Sequence, residues 1–231
     1  MPLPTVILPG YFESAKSYQK LEQSLQELGF PAVTVPLGRR DWIPTLGGRS
    51  FINILQKLDK TVKNVLFEFD VPQINLIGHS AGGWISRIYL GEFPYSGRSN
   101  DKSLPCNGHK LVANLITLGT PHFSQERWTR RTIDFVNQNY PGAFYKDVNY
   151  ICVAGKTVFG NKKLGSWLAY NSYLLTCGKG DTWGDGITPI EAAHLEGAQN
   201  IVIEDVRHSP KSPQRWYGSP DILSTWANYL N

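Results

Sequence analysis

Short apolar runs alternate with segments of helical periodicity from one end of the chain to the other, and this alternation narrows the possible folds more than any other feature. Thr5–Pro9 (TVILP) reads as a buried strand that ends in a turn at Gly10. Ser14–Gly29 carries Tyr18, Leu21, Leu25 and Leu28 at helical spacing and stops on glycine. Ala32–Pro36 is a second strand. Arg49–Glu68 is predicted helical, with Phe51, Ile54, Leu55, Leu58, Val62 and Leu66 along one stripe. Gln73–Gly78 (QINLIG) is a third strand, and Gly82–Gly91 begins a helix directly behind it. A polar loop from Ser96 to His109 precedes the strand Leu111–Leu118. Tyr150–Ala154 and Ile201–Val206 supply two more strands, and a last helix lies within Asp221–Leu230. Strands alternating with helices imply a mostly parallel sheet covered on both faces. With 231 residues the chain can bury such a core as a single domain, predicted to span 1–231.

Charge and cysteine content exclude several classes of function. The net charge of +4 comes from scattered Lys and Arg, and no motif for nucleic acid accompanies it. The three cysteines, Cys106, Cys152 and Cys177, are odd in number and irregularly spaced, which argues against a disulfide framework and a metal site. The N-terminus lacks the basic region and apolar stretch of a signal peptide, and no window of about 18 apolar residues suggests a membrane span. A cytoplasmic protein is the expectation.

The chemistry begins at Gly78-His79-Ser80-Ala81-Gly82, between a predicted strand and a predicted helix. A serine on that sharp turn projects above the sheet edge, as a nucleophile elbow requires. The residues two before and two after it approach too closely for a side chain, and both are glycine. The helix behind points free N–H groups and the positive end of its dipole at any developing oxyanion.

A serine hydroxyl needs a base to take its proton and an acid to orient that base. Where this turn carries a triad, the order along the chain is Ser, acid, His. His208 follows the last strand by one residue beyond Val206, at the sheet end where such sites gather. His194 lies before that strand and would sit at the opposite end. For the acid, Asp185 is flanked by two glycines that let its carboxylate turn inward, with Asp181 on the same loop as the runner-up. Asp205 falls within the predicted strand and reads as structural. Two backbone N–H groups complete an oxyanion hole: that of Ala81, after the nucleophile, and that of Tyr11 in the turn Pro9-Gly10-Tyr11-Phe12. His79 cannot reach round to its neighbour's hydroxyl and is expected to pack beneath the elbow. His122 ends a strand and precedes the acid, so it reads as a pocket wall or a local hydrogen-bonding residue. Phe12, His79 and His122 are together taken as the substrate-binding surroundings.

GHSAGG, LITLGTPH, GDGITP and a histidine after the last strand, in that order, resemble the lipase branch of the α/β-hydrolases. That branch includes bacterial triacylglycerol lipases and lipases similar to the inositol deacylases of GPI anchors. The resemblance spans almost the whole chain. It implies the α/β-hydrolase fold and carboxyl-ester hydrolysis by Ser80, His208 and Asp185 through an acyl-enzyme, with no metal or organic cofactor. Two departures stand out: the oxyanion turn reads PGYF where many lipases have HG and an apolar residue, and a long excursion separates YICVAGK from GDGITP. In this branch such an excursion usually belongs to the substrate cover.

Two aromatic-rich insertions, 123–147 and 157–183, are candidate covers or lids. Lys163–Leu175 places Leu164, Trp167, Leu168, Leu174 and Leu175 at helical spacing, which suits an acyl chain or a transient contact with a membrane surface. The expected partner is a lipid or small-molecule ester. An acyltransferase or a thioesterase would use the same triad, and a non-catalytic binding protein would share the fold but lack a triad member.

Overall fold

The computed structural model describes residues 2–95 and 106–231. In chain order the elements are β1 (Thr5–Leu8), α1 (Gln19–Glu27), β2 (Ala32–Thr34), α2 (Ile52–Phe69), β3 (Ile74–His79), α3 (Ala81–Leu90), β4 (Val112–Leu118), α4 (Arg127–Asn139) and β5 (Asn149–Lys156). There follow β6 (Val158–Phe159), α5 (Trp167–Cys177), β7 (Trp183–Gly184), α6 (Ile190–Ala193), β8 (Gln199–Glu204) and α7 (Pro220–Trp226). The expected strands and helices are all present, with ends moved by a few residues. Asp205 is a correction: β8 ends at Glu204, and Asp205 sits in the turn beyond it at φ 58°, its N–H bonded to the Lys156 carbonyl at 3.0 Å. Of the polar loop expected over 96–109, residues 96–105 lie outside the described residues.

Six strands form one sheet in the order β2-β1-β3-β4-β5-β8, every neighbouring pair parallel. The apolar runs are continuous because both faces are covered, and successive residues serve opposite cores. Val6, Leu8, Leu76, Leu115 and Cys152 face a core shared with α2 and α3 (Leu55, Leu58, Ile85, Ile88). Ile7, Ile77, Ile116, Ile151 and Val153 face the other, closed by Tyr18, Leu21 and Leu25 near α1 and by Ile222, Leu223 and Trp226 of α7. β6 and β7 pair antiparallel as a separate ribbon within the second insertion. Among the described residues, no helix is long and apolar enough to cross a membrane.

The chain leaves β1 for β2 on one side and then returns to place β3 on the other. This reversal opens a crevice beyond the carboxyl ends of β1 and β3, where ligands of parallel α/β sheets bind. Gly10 lies in the turn just past the first of those strands, and Ser80 directly follows the second. Ser80 has φ 52° and ψ −123°, a conformation rarely sustained without surrounding support. The support is close backbone packing. A Cβ on Gly78 would lie 2.5 Å from the Gly83 Cα, and one on Gly82 would lie 2.4 Å from the Leu8 carbonyl oxygen. The approach that the motif predicts, between residues 78 and 82, is there as well, since the Gly78 Cβ would lie 2.7 Å from the Gly82 carbonyl carbon. The Gly82 contact shows that α3 is also pressed against β1, so the elbow and the turn after β1 share one packing constraint.

Replacing Gly82 with Ala is therefore expected to cost about 1–3 kcal/mol of stability by overpacking against backbone that cannot move aside. Gly38→Ala, whose Cβ would meet nothing nearer than 3.8 Å, is the control and should stay within about 0.5 kcal/mol. Urea unfolding of both variants decides it, and equal stabilities would show that the elbow is not closely packed.

Candidate active site

The three residues picked from the sequence are brought together by three different strand ends. β3 delivers Ser80, the segment after β7 delivers Asp185, and the turn after β8 delivers His208. The Ser80 Oγ lies 3.0 Å from His208 Nε2, and His208 Nδ1 lies 2.7 Å from Asp185 Oδ2. The His208 N–H also donates to the Asp185 carbonyl at 3.1 Å, so backbone and side chain both fix the pair.

Asp185 is 1% exposed, and its carboxylate is fully enclosed by donors. Oδ1 accepts the N–H groups of Ile187 (2.9 Å) and Thr188 (2.7 Å); Oδ2 accepts from His208 and from the Tyr217 hydroxyl, both at 2.7 Å. Burial alone would raise its pKa. His208 and these hydrogen bonds outweigh burial and hold the carboxyl below its ordinary value, so it stays ionised. Tyr217 is a partner to which no sequence pattern points. Its hydroxyl accepts the Gly155 N–H at 2.9 Å and so must donate its own proton to Asp185. The runner-up acid, Asp181, is exposed, and the runner-up base, His194, ends α6 ahead of β8.

A cavity of about 390 Å³ opens above Ser80. Tyr11, Leu46, Phe51, Ala81, Trp84, Ile133 and Ile187 give it apolar walls, and Thr45, Ser124, Glu126, Thr129, Ser172 and Thr176 add polar atoms. Both insertions contribute: Ser124 to Ile133 from the α4 segment, Ser172 and Thr176 from α5. The two meet where the Gln125 N–H donates to the Thr176 carbonyl at 3.1 Å. Tyr11 and Ala81, the expected oxyanion residues, flank Ser80 in this lining, and neither backbone N–H has an acceptor among the described residues.

Phe12, His79 and His122 do not line this cavity. Phe12 has φ 57° and lays its ring against the core, edge-on to Tyr11. His79 packs beneath the elbow, on the α1 side of the sheet. His122 turns back under its own strand, because its Nε2 meets the Thr117 hydroxyl at 3.3 Å and the Cys152 sulfur at 3.4 Å. Its Nδ1 lies 3.5 Å from Arg87 Nη1, a group that can only donate, so the ring is the neutral Nε2–H tautomer. Burial and then the Arg87 charge hold its pKa well below the ordinary value; burial and then His208 push that of His79 down to about 3.

With this geometry in place, likeness to solved structures defines the fold. The candidate cell surface hydrolase of Lactobacillus plantarum WCFS1 matches 99% of this chain and 91% of its own, at TM-score 0.53 and 13% identity. Aspergillus fumigatus lipase B matches 87% of this chain at TM-score 0.50 and 10% identity. The chain spans only 44% of lipase B and 41% of tomato methylketone synthase I, which it also matches. The architecture is the α/β-hydrolase fold. No family model matches the sequence, and no curated protein matches it.

The two buried neutral histidines predict acid sensitivity. In the unfolded chain each takes a proton below about pH 6.5, whereas in the folded chain neither does until far lower pH. The unfolded state then holds more protons, so stability is complete above that pH and is lost as pH falls. The expected loss is ~2 kcal/mol per histidine between pH 7 and pH 5. His122→Gln should remove one such share, as read from urea unfolding at both pH values. An unchanged pH slope in the variant would show that His122 is not the group responsible.

Proposed function

We propose that this protein is a serine carboxyl-ester hydrolase of the lipase or esterase type, acting on lipid-like or other apolar esters. The observation that carries the reading is the unbroken chain from Ser80 Oγ to His208 Nε2, and from His208 Nδ1 to the enclosed Asp185 carboxylate. His208 takes the hydroxyl proton as Oγ bonds to the ester carbonyl carbon, and the tetrahedral oxyanion accepts from the Tyr11 and Ala81 N–H groups. The carbon–oxygen bond to the alcohol breaks, and the alcohol leaves with the proton from His208. Water then attacks the acyl-enzyme, gives a proton to His208, and releases the acid as that proton returns to Ser80. Asp185 holds the imidazole tautomer and stabilises the imidazolium without accepting the proton.

The apolar cavity walls support an acyl chain as the bound group, since each buried methylene contributes ~0.8 kcal/mol. Beside the cavity, α5 turns Ser172 and Thr176 to the lining and carries large apolar residues elsewhere. Ala169 and Tyr173 are its buried residues, while Trp167, Leu168 and Leu175 are exposed. With Lys162 and Lys163 ahead of it, this surface supports a transient contact with lipid.

A fluorophosphonate probe is expected to label Ser80 in the wild type and not in Ser80→Ala. On p-nitrophenyl esters, Ser80→Ala should lower kcat by about 10⁶ and Asp185→Asn by about 10⁴. Activity across an acyl-chain series should climb with length until the cavity is filled. Acyl-CoAs and acceptor alcohols in the same assay separate hydrolysis from thioester cleavage and transfer. A folded wild type whose Ser80 resists the probe would overturn the enzymatic reading.

A further inference from the structure

Beneath the elbow, a second set of hydrogen bonds joins the oxyanion turn to the loop that carries the base. The Gly10 N–H donates to the Tyr18 hydroxyl at 2.9 Å. The same hydroxyl lies 2.7 Å from His79 Nδ1, and His79 Nε2 lies 2.9 Å from the carbonyl oxygen of His208. The direction of every proton follows from chemistry. A carbonyl can only accept, so Nε2 bears the proton, and the neutral ring then leaves Nδ1 as an acceptor. Tyr18 has one proton, and its oxygen already accepts from Gly10, so it donates to Nδ1. The order is Gly10 N–H to Tyr18, Tyr18 O–H to His79, His79 Nε2–H to His208. Both side chains are buried, Tyr18 completely and His79 to within 2%.

We propose that Tyr18 and His79 are positioning residues. Through this relay of fixed proton order they hold the turn that offers the Tyr11 N–H in register with the loop that offers His208. The proposal rests on the reading of Ser80, His208 and Asp185 as a catalytic triad, since it assigns the relay a purpose only if both loops act in one reaction. Three features support it. A Cβ on Gly10 would lie 2.9 Å from His79 Nδ1 and 3.1 Å from the Ser80 Cβ, so the turn, the relay and the nucleophile are in direct contact. The groups facing His79 are Tyr18, His208, Trp216 and Tyr217, with Asp185 close enough to act on it electrostatically. Among the described residues, none of them but Tyr18 makes a hydrogen bond to Nδ1. The same two loops are also bridged at the surface by the Lys211–Glu13 ion pair, but the Lys211 side chain is 48% exposed, and such pairs contribute little. The buried link therefore sets the geometry.

The test has three arms. Tyr18→Phe keeps the ring but leaves the Gly10 N–H and His79 Nδ1 buried without partners. It should lower kcat on p-nitrophenyl esters about ten- to a hundredfold and leave KM within about twofold, with fluorophosphonate labelling slowed in parallel. Lys211→Ala should stay within about twofold of wild type in kcat. His79→Gln, which keeps a donor near the Nε2 position, should retain more activity than His79→Leu. Independently of activity, ¹⁵N spectra of the wild type should show His79 as the neutral Nε2–H tautomer from about pH 5 to about pH 8. Wild-type kcat in Tyr18→Phe, a Nδ1–H tautomer, or Gln no better than Leu would each overturn the relay. If wild type itself resists the probe, the triad reading falls instead. Should Tyr18→Phe not fold, the His79 pair and the tautomer decide the matter.

Discussion

Ser80 is held in a backbone conformation that an L-residue adopts only under constraint, and much of the molecule supplies that constraint. Its N–H donates to the Leu118 carbonyl of β4, and its carbonyl accepts from the Gly83 N–H and the Thr120 hydroxyl. Below it, helix α3 can approach β1 and β3 only because residues 78 and 82 have no side chains, and Gly83 leaves room for the Thr120 side chain. The strain is therefore borne by three neighbouring strands and one helix together. That distribution places the Ser80 hydroxyl at a single point above the sheet edge, against which a base can be aimed.

The aiming is electrostatic as well as steric. An ionised carboxylate buried without donors would be expensive, and Asp185 avoids that cost by accepting four hydrogen bonds from four residues. Two of those donors, Ile187 and Thr188, come from its own loop, and the Thr188 hydroxyl ties that loop to the Gly119 carbonyl at the end of β4. A third, Tyr217, reaches in from the segment before α7. The end of β4 thus holds both groups, bonding Ser80 through Leu118 and the Asp185 loop through Gly119. Ser80 and His208 sit just past strands of one sheet, β3 and β8, and Asp185 is tied to that sheet through the Thr188 hydroxyl bond to Gly119 and the His208 N–H bond to its own carbonyl.

Much of this was legible in the sequence because it is periodic or because it is short-range. Strand and helix alternation is written in apolar spacing. Ser80, Asp185 and His208 each sit in a local pattern with a mechanical reason: glycines at a turn, glycines around an acid, a histidine just past a strand. Tyr18 and Tyr217 were not legible as polar partners. Tyr18 occupies an apolar stripe and counts as core by spacing, Tyr217 lies in a turn with no periodic pattern, and their hydroxyls find partners 61 and 32 residues away. His79 carried a usable signal. Side chains alternate along β3, so His79 shares a face with Ile77, which looks toward α1 and α7, and that face is not the one that opens onto the cavity. His122 had no such signal, because it lies beyond β4 in a turn whose direction only tertiary structure sets.

The two insertions that wall the cavity are attached in different ways. The first is pinned by a buried cation: Arg87 of α3 donates to the Tyr140 carbonyl at 2.7 Å and to the Asn137 side chain at 3.0 Å, while Asn137 donates to the His122 carbonyl. Moving α4 would strand a guanidinium that is 2% exposed and has no carboxylate among the partners described, which makes α4 a fixed wall. The second insertion is held chiefly through the acid's own loop. Ser172 of α5 donates to the Ile187 carbonyl at 2.7 Å, and Tyr173 accepts the Gly186 N–H at 2.8 Å while donating to the Val158 carbonyl at 3.1 Å. Gly186 and Ile187 follow Asp185 directly, and Ile187 supplies one of its N–H donors. Displacing α5 must therefore either break these bonds or carry the loop with it, and so the helix with exposed apolar residues is mechanically joined to the loop that holds Asp185 against His208.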